Sequence, residues 1–155
     1  MDDNSQEVEV TTFFVGGTLC GVDIQRIQEV NKNFDVTCVP QSMDYVQGIM
    51  NLRGQIVTII DLGKKLGLNS IDKNKANRNI IINAEDEYVG LLVDGVGDVL
   101  TVKSGDIEPA PSNLGGVRGQ YFQGVLKASK QLIGVLNIDA VLSITDPWST
   151  EQKNG

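Results

Sequence analysis

The chain is patterned in short apolar runs, rich in Val, Ile, Leu and Phe, cut by Gly, Asn and Asp too often for long helices. Residues 8–15, 19–23, 36–39, 46–52, 55–60, 79–83, 88–93, 99–102, 121–127 and 131–136 read as strands, so the fold class is mainly β. Helical spacing is brief. Ile24, Ile27 and Val30 fall three apart, while Leu62 and Leu66, and Ile138 and Leu142, stand four apart. Each set predicts a turn or two, with Asp23 and Asp61 placed to cap the first and second.

The chain also repeats. The stretch from Val46 to Leu66 aligns without a gap on Phe122 to Leu142, at an offset of 76, and apolar positions meet apolar positions throughout. A weaker echo sets Cys20-Gly21-Val22 on Val89-Gly90-Leu91, at an offset of 69. Two similar units of five strands are therefore expected in tandem, each curled into a small barrel so that its edges are protected. The division falls near residue 76, giving subdomains of about 8–75, with a possible contribution from the C-terminal segment, and 76–148. The polar stretches 1–7 and 149–155 have nothing to bury and are expected to fray.

Composition narrows the chemistry. With 155 residues, 41% apolar and 21% charged, the chain is one globular domain's worth, and no apolar run nears the roughly 18 residues of a membrane helix. The net charge of −7 repels phosphate backbones, which makes nucleic acid a poor partner. Residues 1–7 show neither a basic nor an apolar segment of an export signal, so a cytoplasmic location is expected. There is no histidine, which removes Ser-His and Cys-His nucleophile pairs, imidazole metal ligands and a phosphoryl-accepting imidazole. Cys20 and Cys38 both lie in strand-like stretches, where they read as buried thiols packing like small hydrophobes or as a facing, unbridged pair.

The remaining polar clusters do not converge on a catalytic arrangement. Asp94-Gly95-Val96-Gly97-Asp98 fits neither a calcium loop nor a phosphate-binding glycine pattern and reads as a tight turn. Gly115-Gly116-Val117-Arg118-Gly119 reads as a connector, and Glu85-Asp86-Glu87 as a solvated hairpin tip. Glu29, on the amphipathic turn 24–30, and Arg53, between the two most apolar strands, stand out for their apolar surroundings. They read either as an ion pair tying that turn to the hairpin or as a carboxylate and guanidinium displayed to a partner.

Several blocks carry a family resemblance. Cys20-Gly21-Val22-Asp23-Ile24 with Ile27-Gln28-Glu29-Val30, then Val46-Gln47-Gly48-Ile49-Met50-Asn51-Leu52-Arg53-Gly54-Gln55-Ile56-Val57 with Ile60-Asp61-Leu62, resemble the bacterial chemotaxis coupling (CheW) family. So do Val89-Gly90-Leu91-Leu92-Val93-Asp94-Gly95-Val96 and Ile107-Glu108-Pro109-Ala110-Pro111, and the likeness runs from about residue 9 to 144. The resemblance implies two five-stranded SH3-like barrels and a non-catalytic adaptor without cofactor or metal. Its partners would be the cytoplasmic tips of methyl-accepting chemotaxis receptors and the regulatory domain of the histidine kinase CheA, with the membrane reached only through the receptors. It further implies a receptor-binding groove between the barrels involving Ile27, Glu29, Gly48, Arg53, Val96 and Val99, and kinase contacts involving Gly124. Thr58 departs from the proline common there, which restores an N–H and leaves room for different edge pairing. The chain stops soon after Trp148, so neither a receiver domain nor a kinase core is expected. The alternatives are a coupling protein of a non-chemotactic array, a small-ligand-binding double barrel, and an enzyme relying on carboxylates, Lys, Tyr or thiols.

Overall fold

In the computed structural model, which describes residues 6–143, β1 (Glu7–Val15) and β2 (Thr18–Asp23) form a hairpin, and a 3-10 turn (Ile24–Arg26) leads into β3 (Ile27–Asn31). There follow β4 (Val46–Leu52), β5 (Gln55–Asp61), α1 (Leu62–Lys65), β6 (Arg78–Ala84), β7 (Glu87–Val93) and β8 (Gly95–Lys103). A small hairpin of β9 (Asn113–Leu114) and β10 (Val117–Arg118) precedes β11 (Phe122–Ala128), β12 (Gln131–Leu136) and α2 (Ile138–Ser143). Two five-stranded sheets result, ordered β3-β6-β7-β5-β4 and β11-β12-β2-β1-β8, the two SH3-like barrels of a mainly β fold.

The chain is shared between the barrels differently from the expected division near residue 76. The first barrel takes β3 to β7, and the second joins β8, β11 and β12 to the N-terminal hairpin. The C-terminal stretch supplies only three long strands, two short of a barrel, and β1 and β2 complete it. The seams correspond: β7 runs parallel to β5 with Gly90 beside Ile59, and β2 runs parallel to β12 with Gly21 beside Val135. The two offsets read from the sequence thus meet on one rung.

The correspondence extends to single hydrogen bonds. Thr37 exchanges two backbone hydrogen bonds of 2.8 Å with Ile49 on β4, and Glu108 exchanges two of 2.8 Å with Val125 on β11. Each bridge carries the chain from one edge strand across to the other, which covers exposed backbone and closes the barrel. Beside each bridge the register slips by one residue, at Gly48 and at Gly124. A Cβ would lie 2.5 Å from the Thr37 carbonyl at Gly48, where φ is +153°, and 2.5 Å from the Glu108 carbonyl at Gly124. After β5, Asp61 caps α1 by accepting from Lys64 N at 3.1 Å, and after β12, Asn137 accepts from Ala140 N at 3.0 Å. Asp61 N and Asn137 N donate at 2.8 Å to the carbonyls of Tyr45 and Tyr121.

The largest apolar cluster lies between the sheets, joining Phe13, Cys20 and Val22 to Ile60, Ile80, Leu91, Phe122 and Leu136. Smaller clusters fill each barrel: Met50, Val57, Ile59, Ile81 and Leu92 in the first, and Val10, Leu126, Ile133 and Val135 in the second. The barrels therefore share their main core.

Local expectations are corrected in several places. Residues 24–30 form one 3-10 turn and then β3, because β6 needs an antiparallel partner, and the burial alternates along β3. Residues 36–39 contribute a single bridge; Pro40 follows directly and cannot donate to a ladder. Cys38 is exposed on that covering segment, while Cys20 is buried and its thiol is pushed up to about 12 by desolvation. The strand expected at 99–102 begins at Gly95, so of residues 94–98 only Asp94 lies at the turn, where it accepts from Gly16 N at 2.7 Å. Thr58 sits on an interior strand with Ile49 and Val89 on either side, not at an edge. Of the tails, 149–155 and 1–5 lie outside the described residues, and Glu7 already pairs with Lys103.

Candidate functional site

The β4–β5 hairpin turns on Arg53-Gly54, with φ of +51° and +87° and Leu52 paired to Gln55. Positive φ at both central residues is the primed turn that matches strand twist, and glycine meets it freely where arginine does not. Asn51 Oδ1 accepts from Gly54 N at 2.8 Å and helps to hold the turn. The Arg53 side chain, 69% exposed, donates to Glu29 Oε1, whose own side chain is 23% exposed. Glu29 Oε2 is fixed by Asn31 Nδ2 at 3.2 Å. β3 and β4 are opposite ends of the first sheet, so a contact from β3 to the β4–β5 turn shows that the sheet has curled back on itself. Glu29 and Arg53 thus form an ion pair and still present the guanidinium to solvent.

The other expected site residues divide into surface and packing positions. Ile27 and Val96 are partly buried against the central cluster and are counterparts: Ile27 pairs with Ile82 and Val96 with Phe13. Val99 lies exposed on β8 opposite Thr11. Gly48 and Gly124 are buried, each beneath the carbonyl of a bridging residue. In this structure both glycines shape the covered edge from beneath.

A cleft of about 420 Å³ opens between the barrels, walled by Phe14, Val96 and Asp94 on one side and by Ala76 and Arg78 on the other. Phe14 is 44% exposed there, although its neighbour Phe13 is fully buried. Strand alternation through residues 8–15 was enough to turn one of this pair outward. Sequence reasoning also missed Ile56, 60% exposed on β5, and Leu132, 46% exposed on β12. They are mates in the 76-residue repeat, each preceding a buried Val57 or Ile133, so the repeat combined with parity carried the signal. Among the described residues no group of three or more His, Cys, Asp or Glu side chains gathers to hold a metal ion. No described helix is long and apolar enough to cross a membrane.

The comparisons agree with this architecture. The CheW-like domain model matches residues 9–146. A probable chemotaxis protein CheW of Rhizobium etli is 32% identical over 143 residues, covering 92% of each chain. Chemotaxis protein CheW of Thermotoga maritima is 33% identical over 140 residues, covering 90% of this chain and 91% of its own. The crystal structure of the scaffolding protein TtCheW from Thermoanaerobacter tengcongensis superposes with a TM-score of 0.79 at 30% identity, covering 86% of each chain. With matching blocks, matching barrels and near-complete mutual coverage, the chain belongs to the CheW-like family of chemotaxis scaffolding proteins.

Proposed function

We propose that this chain is a non-catalytic cytoplasmic adaptor that couples methyl-accepting chemotaxis receptors to the regulatory domain of the histidine kinase CheA. The observation that carries the reading is Arg53, set in the left-handed region at a hairpin tip, paired through its side chain with Glu29 and exposed to solvent. In this reading Arg53 supplies the charged part of the receptor surface, and Ile27, Val96, Val99 and the inter-barrel cleft at Phe14 supply the apolar part. One face of a receptor-tip helix, with apolar side chains at i, i+3, i+4 and i+7, suits such a surface. The kinase side uses the barrel ends. Ile56 and Leu132 stand at equivalent places on the two hairpins, so each barrel can offer an apolar spot beside the covered edge shaped by Gly48 or Gly124. Head-to-tail contacts between such ends build rings when the rotation closes. The adaptor acts by favouring one arrangement of its partners, a coupling of about 1–3 kcal/mol.

Co-sedimentation with receptor-containing membranes and kinase tests the assignment. Val99→Asp is expected to lose receptor binding while retaining kinase, and Leu132→Asp to lose kinase while retaining receptor. Folded variants that both assemble and activate like the wild type contradict it.

A further inference from the structure

Both barrels are open at the end where the bridging segment crosses, and equivalent residues line the two openings. Gln47, Ile59 and Asn79 line the first, and Gln123, Val135 and Val10 the second. The openings are unequal: about 730 Å³ in the first barrel and about 270 Å³ in the second. Where the second has Val8 and Val10, the first has Asn77 and Asn79, 5% and 0% exposed. The frame does not require amides here, since valine serves in the sister barrel.

The amides are also only half used. Asn77 Nδ2 donates to the Asp72 carbonyl at 2.9 Å, and Asn79 Nδ2 donates to the Asn33 carbonyl at 2.7 Å. Those bonds fix which atom of each amide is oxygen. Among the described residues no donor reaches Asn77 Oδ1 or Asn79 Oδ1. Both oxygens are closed off from solvent, and an unmatched buried acceptor costs stability, so two of them on residues lining one cavity need a reason. The lining supplies a second sign. Lys73 and Lys75 contribute two cations, no acid lines the cavity, and neither lysine has a carboxylate partner among the described residues, in a chain whose net charge is −7. Ile59, Leu92 and the exposed Phe34 add an apolar wall.

We infer that the mouth of the first barrel is a binding site for a small carboxylate ligand with an apolar body and N–H donors, the chemistry of a short apolar peptide. A small outward turn of each amide brings its oxygen to the cavity, where the ligand's N–H groups donate to it; the carboxylate lies toward Lys73 and Lys75, and the side chains cover Ile59 and Leu92. The volume falls within the range of small-molecule sites, roughly 300–1,000 Å³.

The test is an NMR and thermal-shift titration of the full chain with L-leucyl-L-leucine at millimolar concentration. Its C-terminal amide, which lacks the carboxylate, and octanoate, which lacks the N–H groups, serve as comparisons. The dipeptide is expected to raise the melting temperature and to shift resonances around Phe34, Asn77, Asn79 and Leu92, with both comparison compounds weaker by about tenfold. Asn79→Val is expected to weaken binding by about tenfold or more, and Lys73→Ala with Lys75→Ala, which leaves the core untouched, to do so most at low salt. No shift with the dipeptide, shifts confined to another surface, or dipeptide binding unchanged in the folded lysine double variant overturns the inference. The readout involves neither receptor nor kinase, so it stands or falls separately from the adaptor reading.

Discussion

In the first barrel the β4–β5 turn is Arg53-Gly54; in the second, the matching β11–β12 turn is Ser129-Lys130, and Ser129 has φ of +55° where Arg53 has +51°. Both turns open on a left-handed residue, but Gly54 follows at +87° in the first where Lys130 does not share the positive φ in the second. Serine carries no long charged side chain there, whereas arginine extends one to Glu29, whose counterpart Asp98 makes no ion pair among the described residues. The same contrast recurs at Asn79 against Val10 and at Lys65 against Val141. Positions that set the frame are alike in type: a glycine under each bridging carbonyl, a capping Asp or Asn, and a branched apolar residue at Ile59 and Val135. Of the positions that differ, Arg53 faces solvent and Asn79 a cavity, while Lys65 is buried, so the departures from the duplicated frame are not confined to its surface.

The largest break in the comparison is expected at the glycines. Gly48→Ala combines a clash with a backbone carbonyl and a φ of +153°, and is expected to cost about 3 kcal/mol or more in denaturant unfolding. Gly124→Ala meets an equal clash without the positive φ and is expected to cost about 1–3 kcal/mol. Equal losses would show that the two bridges relax differently from their geometry.

The caps come next. Asp61 accepts from Lys64 N and also from Ile71 N at 3.0 Å, tying down the segment that leads to β6, whereas among the described residues the Asn137 side chain accepts only from its own helix. Asp61→Ala is expected to cost about 2 kcal/mol and Asn137→Ala about 1 kcal/mol by thermal unfolding.

Lys65 sharpens the comparison in the opposite direction. It is buried, with its Nζ 4.3 Å from the centre of the Tyr45 ring, and desolvation lowers its pKa to about 8. The unfolded chain, with an ordinary lysine near 10.5, holds this proton where the folded chain has released it. Stability is therefore expected to rise with pH between about 8 and 10.5, and the penalty is fully present below 8. Lys65→Met, which brings the site closer to Val141, is expected to add about 1–2 kcal/mol at neutral pH and to remove that rise.

Much of this frame is legible in the sequence. The repeat from Val46 to Leu66 onto Phe122 to Leu142 is realised down to the caps at Asp61 and Asn137. The Cys20-Gly21-Val22 echo is realised in the matched parallel seams. The assignment of strands to barrels was not legible, because β1–β2 pairs with β12 across more than a hundred residues and local patterning is blind to so distant a partner. β3 was missed because Ile24, Ile27 and Val30 fit a helix in so short a window, and only pairing with β6 decides the matter. At the site, the partnership of Glu29 and Arg53 was visible as a possibility from their apolar settings. The left-handed turn that holds Arg53, and the outward faces of Phe14, Ile56 and Leu132, needed the structure.

The smallest expected change in stability offers the most direct test of the adaptor reading. Arg53→Gly removes the guanidinium and relieves the positive φ, and the ion pair it gives up is mostly exposed, so its stability is expected to stay within about 1 kcal/mol of wild type. Receptor-dependent kinase activation, measured with Arg53→Gly beside wild type in receptor-containing membranes, is expected to collapse while unfolding is unchanged. Full activation by the folded variant would contradict the claim that the first barrel's hairpin tip engages the receptor.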